Sequence, residues 1–327
     1  MIRDARSKEK IMALLEIQNL ATAFPTEKGL ARAVDDVTLS VDKGKCLGIV
    51  GESGCGKSIT SLSILRLIPP PGKIVGGKIM LDGKNLLDLS EPQMRAIRGN
   101  RIALIPQDPM TSLNPVYTVG AQIIEAIELH QKVSRQEARK RAIEVLDQVR
   151  IPEARLRVDE YPHQFSGGMR QRVMIAMALA CHPELIIADE PTTALDVTVQ
   201  AQILDLLRDI QRERGTAIVL ITHDLGVVAE MCDSVAVMYA GSVVEYTSVD
   251  ELFKNPKHPY TVGLINSLPK PGSKRLIPIE GSPPSLTNLP IGCRFSNRCF
   301  MRQDQCDLSI PPLEAKSDGH DARCFLV

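Results

Sequence analysis

The sequence predicts an α/β fold with a phosphate-binding loop, a helical subdomain, and a loop-rich C-terminal extension carrying a cysteine cluster. Three observations carry this. Short apolar runs alternate with helical patterns over residues 1–265. Gly51-Glu52-Ser53-Gly54-Cys55-Gly56-Lys57-Ser58 lies between a strand pattern and a helix pattern. The texture then changes, residues 266–327 holding 8 of the 22 prolines with little periodicity. The domains are therefore set at 1–265, with a helical insertion at about 91–165, and 266–327.

Ala33 to Val41, Cys46 to Val50, Ile79 to Leu81, Arg101 to Ile105, Leu185 to Ala188, Ala217 to Ile221 and Val235 to Met238 read as strands. Leu47 to Val50 and Leu185 to Ala188 are almost wholly apolar, which suits strands covered on both faces of a mainly parallel sheet. Ser58 to about Leu67 reads as a helix. In the insertion, one helix opens with Ser134 and Glu137 at capping-box spacing and turns Ala138, Ala142, Val145 and Val149 to one face.

Composition bounds the function. The 327 residues are 44% hydrophobic and 24% charged, as in a soluble globular protein. Lys+Arg and Asp+Glu are 39 each, so no net charge favours a nucleic-acid backbone, and nucleic acid is not a predicted partner. No run approaches the ~18 to 20 apolar residues of a membrane helix; Met174 to Cys181 stops at His182 and Pro183. Met1 to Lys10 is charged, but Ile11 to Leu15 is too short for a signal-peptide core, which predicts a cytoplasmic location.

Gly51 to Ser58 fits the P-loop pattern in the strand-to-helix context that it requires. Its glycines let successive N–H groups turn inward, where the helix N-terminus adds positive potential for a triphosphate. Lys57 would reach the outer phosphates and Ser58 would give Mg²⁺ a hydroxyl. Such a pattern arises by chance in about one chain in a hundred of this length, so a second half is needed. Leu185 to Ala188 supplies it by ending in Asp189 and Glu190, which alternation aims differently: Asp189 to the Mg²⁺ shell, Glu190 to the water that attacks the γ-phosphate. Gln107 follows one strand and can link Mg²⁺ to that water. His223 follows another and can touch the γ-phosphate.

Together these motifs resemble the ATP-binding subunits of ABC transporters, in family order across most of residues 13–265. The resemblance implies a P-loop ABC-type nucleotide-binding domain with ATP and Mg²⁺ as ligands. It implies an adenine-stacking role for Phe24, phosphate contacts from Gly51, Ser53, Gly54, Cys55, Gly56, Lys57, Ser58 and Ile59, and Mg²⁺ contacts from Ser58, Gln107 and Asp189. Glu190, His223 and Gln107 would be the catalytic residues. Phe165-Ser166-Gly167-Gly168-Met169 is similar to the family signature, with Phe165 and Met169 where Leu and Gln are commonest; Ala194-Leu195-Asp196 matches the D-loop. In the family, Ser166, Gly167, Gly168 and Asp196 complete the ATP site of a partner, two subunits packing head to tail around two ATP molecules.

Cys293, Cys299, Cys306 and Cys324 are spaced C-x5-C-x6-C-x17-C. Neither first gap suits structural zinc, iron–sulfur clusters tolerate wider spacing, and a reducing cytosol argues against disulfides. The residues leave cluster and zinc open, with His320 as a reserve ligand. Gln107 to Pro115, His258-Pro259-Tyr260-Thr261 and Cys293 to Cys299 are similar to the dipeptide, oligopeptide and nickel importers, most specifically to the first of the two ATPase subunits of a dipeptide importer. That resemblance implies a structural [4Fe-4S] cluster, expected to lie apart from the nucleotide. It also implies peptide import as the function, at the cytoplasmic face of the membrane. The expected partners are a second ATPase subunit or a second copy, two membrane permease subunits and, indirectly, an extracytoplasmic solute-binding protein. A non-transport ABC ATPase of translation or DNA repair, or an importer of another solute such as nickel, is the alternative.

Overall fold

The computed structural model describes residues 13–193, 195–269 and 278–327. The charged segment Met1 to Lys10 and Ala194 of the D-loop lie outside them. In chain order the first elements are β1 (Leu15–Thr26), β2 (Gly29–Val41), β3 (Cys46–Val50), α1 (Lys57–Ile64), β4 (Lys73–Leu81), β5 (Lys84–Asn85), α2 (Glu91–Ile97) and β6 (Ile102–Ile105). Then follow α3 (Pro109–Ser112), α4 (Val119–His130), α5 (Arg135–Gln148), α6 (Ala154–Arg157) and α7 (Gly167–Leu179). Next come β7 (Leu185–Asp189), α8 (Val197–Arg214), β8 (Ala217–Ile221), α9 (Leu225–Met231), β9 (Ser234–Tyr239) and β10 (Ser242–Ser248). The remaining elements are α10 (Val249–Lys254), α11 (Pro259–Asn266), α12 (Gln305–Leu308), β11 (Glu314–Ser317) and β12 (His320–Ala322).

Two sheets result. One is antiparallel, ordered β2-β1-β4-β5; the other runs β11-β12-β10-β9-β3-β8-β7-β6. In the second sheet β9, β3, β8, β7 and β6 are parallel. Every residue of β3, β7 and β8 is buried, as their apolar composition requires of strands covered on both faces. One core cluster packs Ile186, Ile218 and Leu220 against α4, α5, α7 and α8, and another packs Leu47, Ile187 and Val219 against β1, β2 and α1. Arg101 and Glu184 tie the starts of β6 and β7 through a fork of bonds at 2.6 and 2.8 Å.

The helical segment begins only after β6, so the 91–165 span needs correction: α2 precedes β6, and β6 is an edge strand of the main sheet. In α5 the Ser134 hydroxyl accepts from Glu137 N at 3.2 Å, while the Glu137 carboxylate pairs with Arg141 at 2.9 Å instead of closing the box. Ala138, Ala142, Val145 and Val149 are buried. Helix α1 stops at Ile64, short of Leu67, because Arg66 turns left-handed at φ 53°. The extension is not only loop: β12 pairs antiparallel with β10 and β11 with β12, extending the main sheet. Among the described residues no helix is long and apolar enough to cross a membrane.

Candidate functional site

The parallel sheet brings the predicted residues together from distant parts of the chain. Gln107 follows β6, Asp189 ends β7 with Glu190 after it, His223 follows β8, and the P-loop follows β3. All stand at or just beyond the carboxyl ends of parallel strands, where open α/β sheets form their ligand crevices.

The loop itself is tightly built. Gly51 and Gly56 take φ 151° and 107°; a Cβ at Gly51 would lie 2.2 Å from the Met238 carbonyl, and one at Gly56 2.3 Å from the Ala33 carbonyl. Only glycine lets the backbone pass so close. Lys57 is buried, and its ammonium donates to the carbonyls of Gly51 at 2.8 Å and Glu52 at 3.1 Å. Ser53, Gly54 and Ser58 face solvent, whereas Cys55 is buried, which raises its thiol pKa, and Ile59 packs against the core under the sheet. Burial also raises the pKa of Asp189; the Ser58 hydrogen bond and Lys57 oppose this and Glu190 adds to it. Asp189 Oδ1 is buried without a hydrogen-bond partner. An orphaned carboxylate oxygen beside a serine hydroxyl is a hard-oxygen donor pair that suits Mg²⁺.

Glu190 is held in a left-handed conformation, φ 48°, at the end of β7. Its Oε2 accepts from Gln107 Nε2 at 2.9 Å and from Thr193 Oγ1 at 2.9 Å, while His223 Nδ1 stands 3.3 Å from Oε1. A carboxylate anchored by two donors beside an exposed imidazole can polarise a water and accept its proton. Thr193 escaped the sequence reading, because a lone threonine in a loop gives no signal.

The other residues form, among the described residues, no hydrogen bond with this cluster. Ser166 caps α7, accepting from Met169 N at 3.3 Å, and Asp196 caps α8, accepting from Thr198 N at 3.1 Å and Val199 N at 3.0 Å. A Cβ at Gly167 would meet open space, whereas Gly168 lies against Val199. Among the described residues no hydrogen bond joins Ser166, Gly167, Gly168 or Asp196 to the P-loop. Phe165 is buried against the helices, with Arg157 over its ring at 5.9 Å. Phe24, on β1, is half-buried with its ring against Gly72.

Cys293, Cys299, Cys306 and Cys324 line one narrow cavity together with His258. Burial raises the pKa of the Cys299 and Cys324 thiols and lifts that of Cys293 to about 11. Among the described residues no three His, Cys, Asp or Glu side chains are grouped so as to hold a metal ion. His320 is not the reserve ligand. The pairing of β12 with β10 buries it and sets its Nε2 2.7 Å from Glu245 Oε1, away from the cavity lining.

The extension also touches the phosphate loop. Arg298, next to Cys299, donates to both Glu52 oxygens at 2.9 and 3.0 Å, and Glu52 N donates to Tyr260 Oη at 3.0 Å. Both residues sit in segments already singled out, but one sequence cannot show that they meet Glu52.

Comparison with known proteins agrees with this architecture. The ABC transporter family model matches residues 34–193, and the model of the oligopeptide/dipeptide transporter C-terminal region matches residues 244–306. A probable peptide ABC transporter ATP-binding protein of Sinorhizobium fredii is 55% identical over 324 residues, 98% of this chain and 97% of that one. An oligopeptide transport ATP-binding protein of Bacillus subtilis is 51% identical over 322 residues, covering 97% of this chain and 90% of its own length. Among solved structures, the dimeric post-hydrolysis state of the ATP-binding cassette MJ0796, bound to ADP and Pi, superposes with a TM-score of 0.65 at 29% identity, covering 72% of this chain and 98% of that one.

Proposed function

This chain belongs to the family of ABC transporter ATP-binding proteins, and from that premise we propose that it binds and hydrolyses ATP to energise import of di- or oligopeptides. The observation that carries the substrate class is its similarity, over nearly its whole length, to ATP-binding proteins named for peptide and oligopeptide transport. The site chemistry is in keeping. Backbone N–H groups of Ser53 to Ser58 and the Lys57 ammonium hold the phosphates. Glu190 orients and deprotonates the attacking water, steadied by Gln107 and Thr193, while His223 faces the same carboxylate. Ser58 and Asp189, with Gln107 nearby, would hold Mg²⁺, which supplies charge stabilisation at the transferring phosphoryl group. Phe24 supports the adenine.

Among the described residues, Ser166, Gly167, Gly168 and Asp196 make no hydrogen bond to this chain's own loop, which supports their acting on the nucleotide of a second ATPase subunit or a second copy of this one. In this reading residues 1–265 form the motor. It docks on two membrane permease subunits at the cytoplasmic face and receives solute indirectly from an extracytoplasmic binding protein. Residues 266–327 carry a structural [4Fe-4S] cluster on Cys293, Cys299, Cys306 and Cys324. Four soft donors line one cavity, which supports that ligand although among the described residues they form no ready-made metal-holding group, and zinc is the competing metal.

Uptake by proteoliposomes tests the function, with this chain assembled with its permeases and partner ATPase. Labelled dipeptide or tripeptide should enter with ATP and not without it. Nickel uptake in its place would overturn the substrate class, and failure of the full assembly to hydrolyse ATP would overturn the ATPase reading.

A further inference from the structure

The segment that carries the cysteines also grips the phosphate loop. Three cysteines have an arginine as chain neighbour, in Cys293-Arg294, Arg298-Cys299 and Arg323-Cys324, and each arginine reaches into the nucleotide-binding body. Arg294 donates to the Ala240 carbonyl at 2.5 Å and pairs with Asp35. Arg323 donates to the Val243 carbonyl at 3.0 Å and to Asp36 Oδ2 at 2.9 Å. Arg298, its side chain only 5% exposed, takes both oxygens of Glu52. Forked, charge-assisted bonds of this kind fix orientation as well as distance, and buried ones are little screened by salt.

Arg298 bears on the site most directly. Glu52 is the second residue of the loop, and it is held from outside at both ends, its N–H by Tyr260 and its carboxylate by Arg298. Tyr260 is itself wedged against Tyr239 and Phe295, with ring centres 4.7 and 5.5 Å apart. Inside the loop, Lys57 bonds the carbonyls of Gly51 and Glu52. A phosphate that recruits Lys57 competes with those two bonds, and the entrance of the loop then rests on the outside grip.

We propose that Arg298 is a positioning residue for the phosphate loop, coupling the conformation of the cysteine-bearing segment to nucleotide affinity. This rests on the reading of Gly51 to Ser58 as the nucleotide site. Cys299 lines the thiol cavity, so a change there displaces the neighbouring guanidinium and loosens Glu52. The coupling is reciprocal: nucleotide steadies residues 293–299 by as much as they favour nucleotide. Lysine cannot reproduce the fork.

The test measures ADP affinity by calorimetry on full-length wild type, Arg298→Gln, Glu52→Gln, the double variant and Arg298→Lys. Hydrogen exchange of residues 293–300 is followed with and without ADP. Each single glutamine variant should weaken ADP roughly tenfold, the double should be no weaker than either, and Arg298→Lys should recover only part. ADP should slow exchange across 293–300 in wild type and not in Arg298→Gln. If Arg298→Gln fails to fold, Glu52→Gln and Arg298→Lys break the same pair and carry the test. Wild-type affinity in both single variants, or losses that multiply in the double, would overturn the coupling alone. A wild type that binds no ADP would overturn the nucleotide-site reading, and the coupling with it.

Discussion

Glu190 divides its carboxylate between two tasks: Oε1 faces His223 Nδ1 at 3.3 Å, while Oε2 is fixed by Gln107 and Thr193, each at 2.9 Å. One oxygen is anchored by donors from two different loops, and the other is left beside an exposed imidazole. This division separates the work of placing the carboxylate from the work of accepting a proton.

Replacing Glu190 with Gln keeps the shape and removes the base. Hydrolysis should fall by at least about a hundredfold, while ATP affinity stays within about twofold of wild type. Single-turnover kinetics beside equilibrium nucleotide binding separate the two; near-normal turnover would remove Glu190 from its role.

Thr193→Val deletes one of the two anchors without touching the P-loop. The expected loss is about fivefold in kcat with KM unchanged, the worth of roughly one hydrogen bond of ~1 kcal/mol. Steady-state kinetics on the assembled transporter decide it, a rise in KM alone being the contrary result.

Gly56→Ala asks whether the close backbone approach is required. The new Cβ would meet the Ala33 carbonyl at 2.3 Å on a residue at φ 107°. Stability should drop by more than about 1 kcal/mol, and nucleotide affinity should drop with it. Thermal melting with and without ADP measures both, and an unchanged melting point would mean that the loop accommodates the methyl.

The Arg101–Glu184 fork predicts a defined pH window. The Arg101 hydrogen bond holds the Glu184 carboxyl below its ordinary value of 4.5, outweighing partial burial. A carboxylate whose folded pKa is depressed contributes stability above the unfolded pKa and loses it as pH falls through the folded one. Glu184→Gln should therefore be less stable than wild type at pH 7, by less than about 1 kcal/mol for a pair this exposed. The gap should close as pH drops below 4.5, which urea unfolding of both proteins at pH 7, 5 and 3.5 would reveal.

The proposed cluster should make anaerobically purified protein brown, with about four irons per chain. Burial lifts the Cys293 thiol to about 11, so the metal-free thiol is protonated near neutral pH, and loading the cluster should release protons. Cys299→Ser should bleach the colour and open residues 278–327 to proteolysis. One zinc and no iron would replace the cluster, and no metal at all would remove both.

The parallel strands were legible because a strand buried on both faces must be almost wholly apolar, as β3, β8 and β7 up to its terminal Asp189 are. The site residues were legible because phosphate chemistry fixes residue type at fixed offsets from such strands. β1 was not, since Asn19 turns left-handed at φ 49° and register shifts interrupt its pairing, breaking the alternation that marks a half-covered strand. β11 and β12 are four and three residues long and owe their existence to the waiting edge of β10. The grip of Arg298 on Glu52 spans 246 residues and leaves no periodic trace, because an ion pair needs only one residue on each side.

That span has a consequence for how the molecule is made. On the ribosome the phosphate loop emerges early, together with β3, but the strands on either side of β3 are β8 and β9, and the arginine that grips the loop comes later still. Until then the loop has neither its neighbouring strands nor its outside grip, and the nascent chain exposes apolar strands that only later segments cover. A chain broken off before residue 294 would lack Arg294, Arg298 and Arg323 together with β11 and β12, so an unfinished motor is also one whose phosphate loop is poorly held.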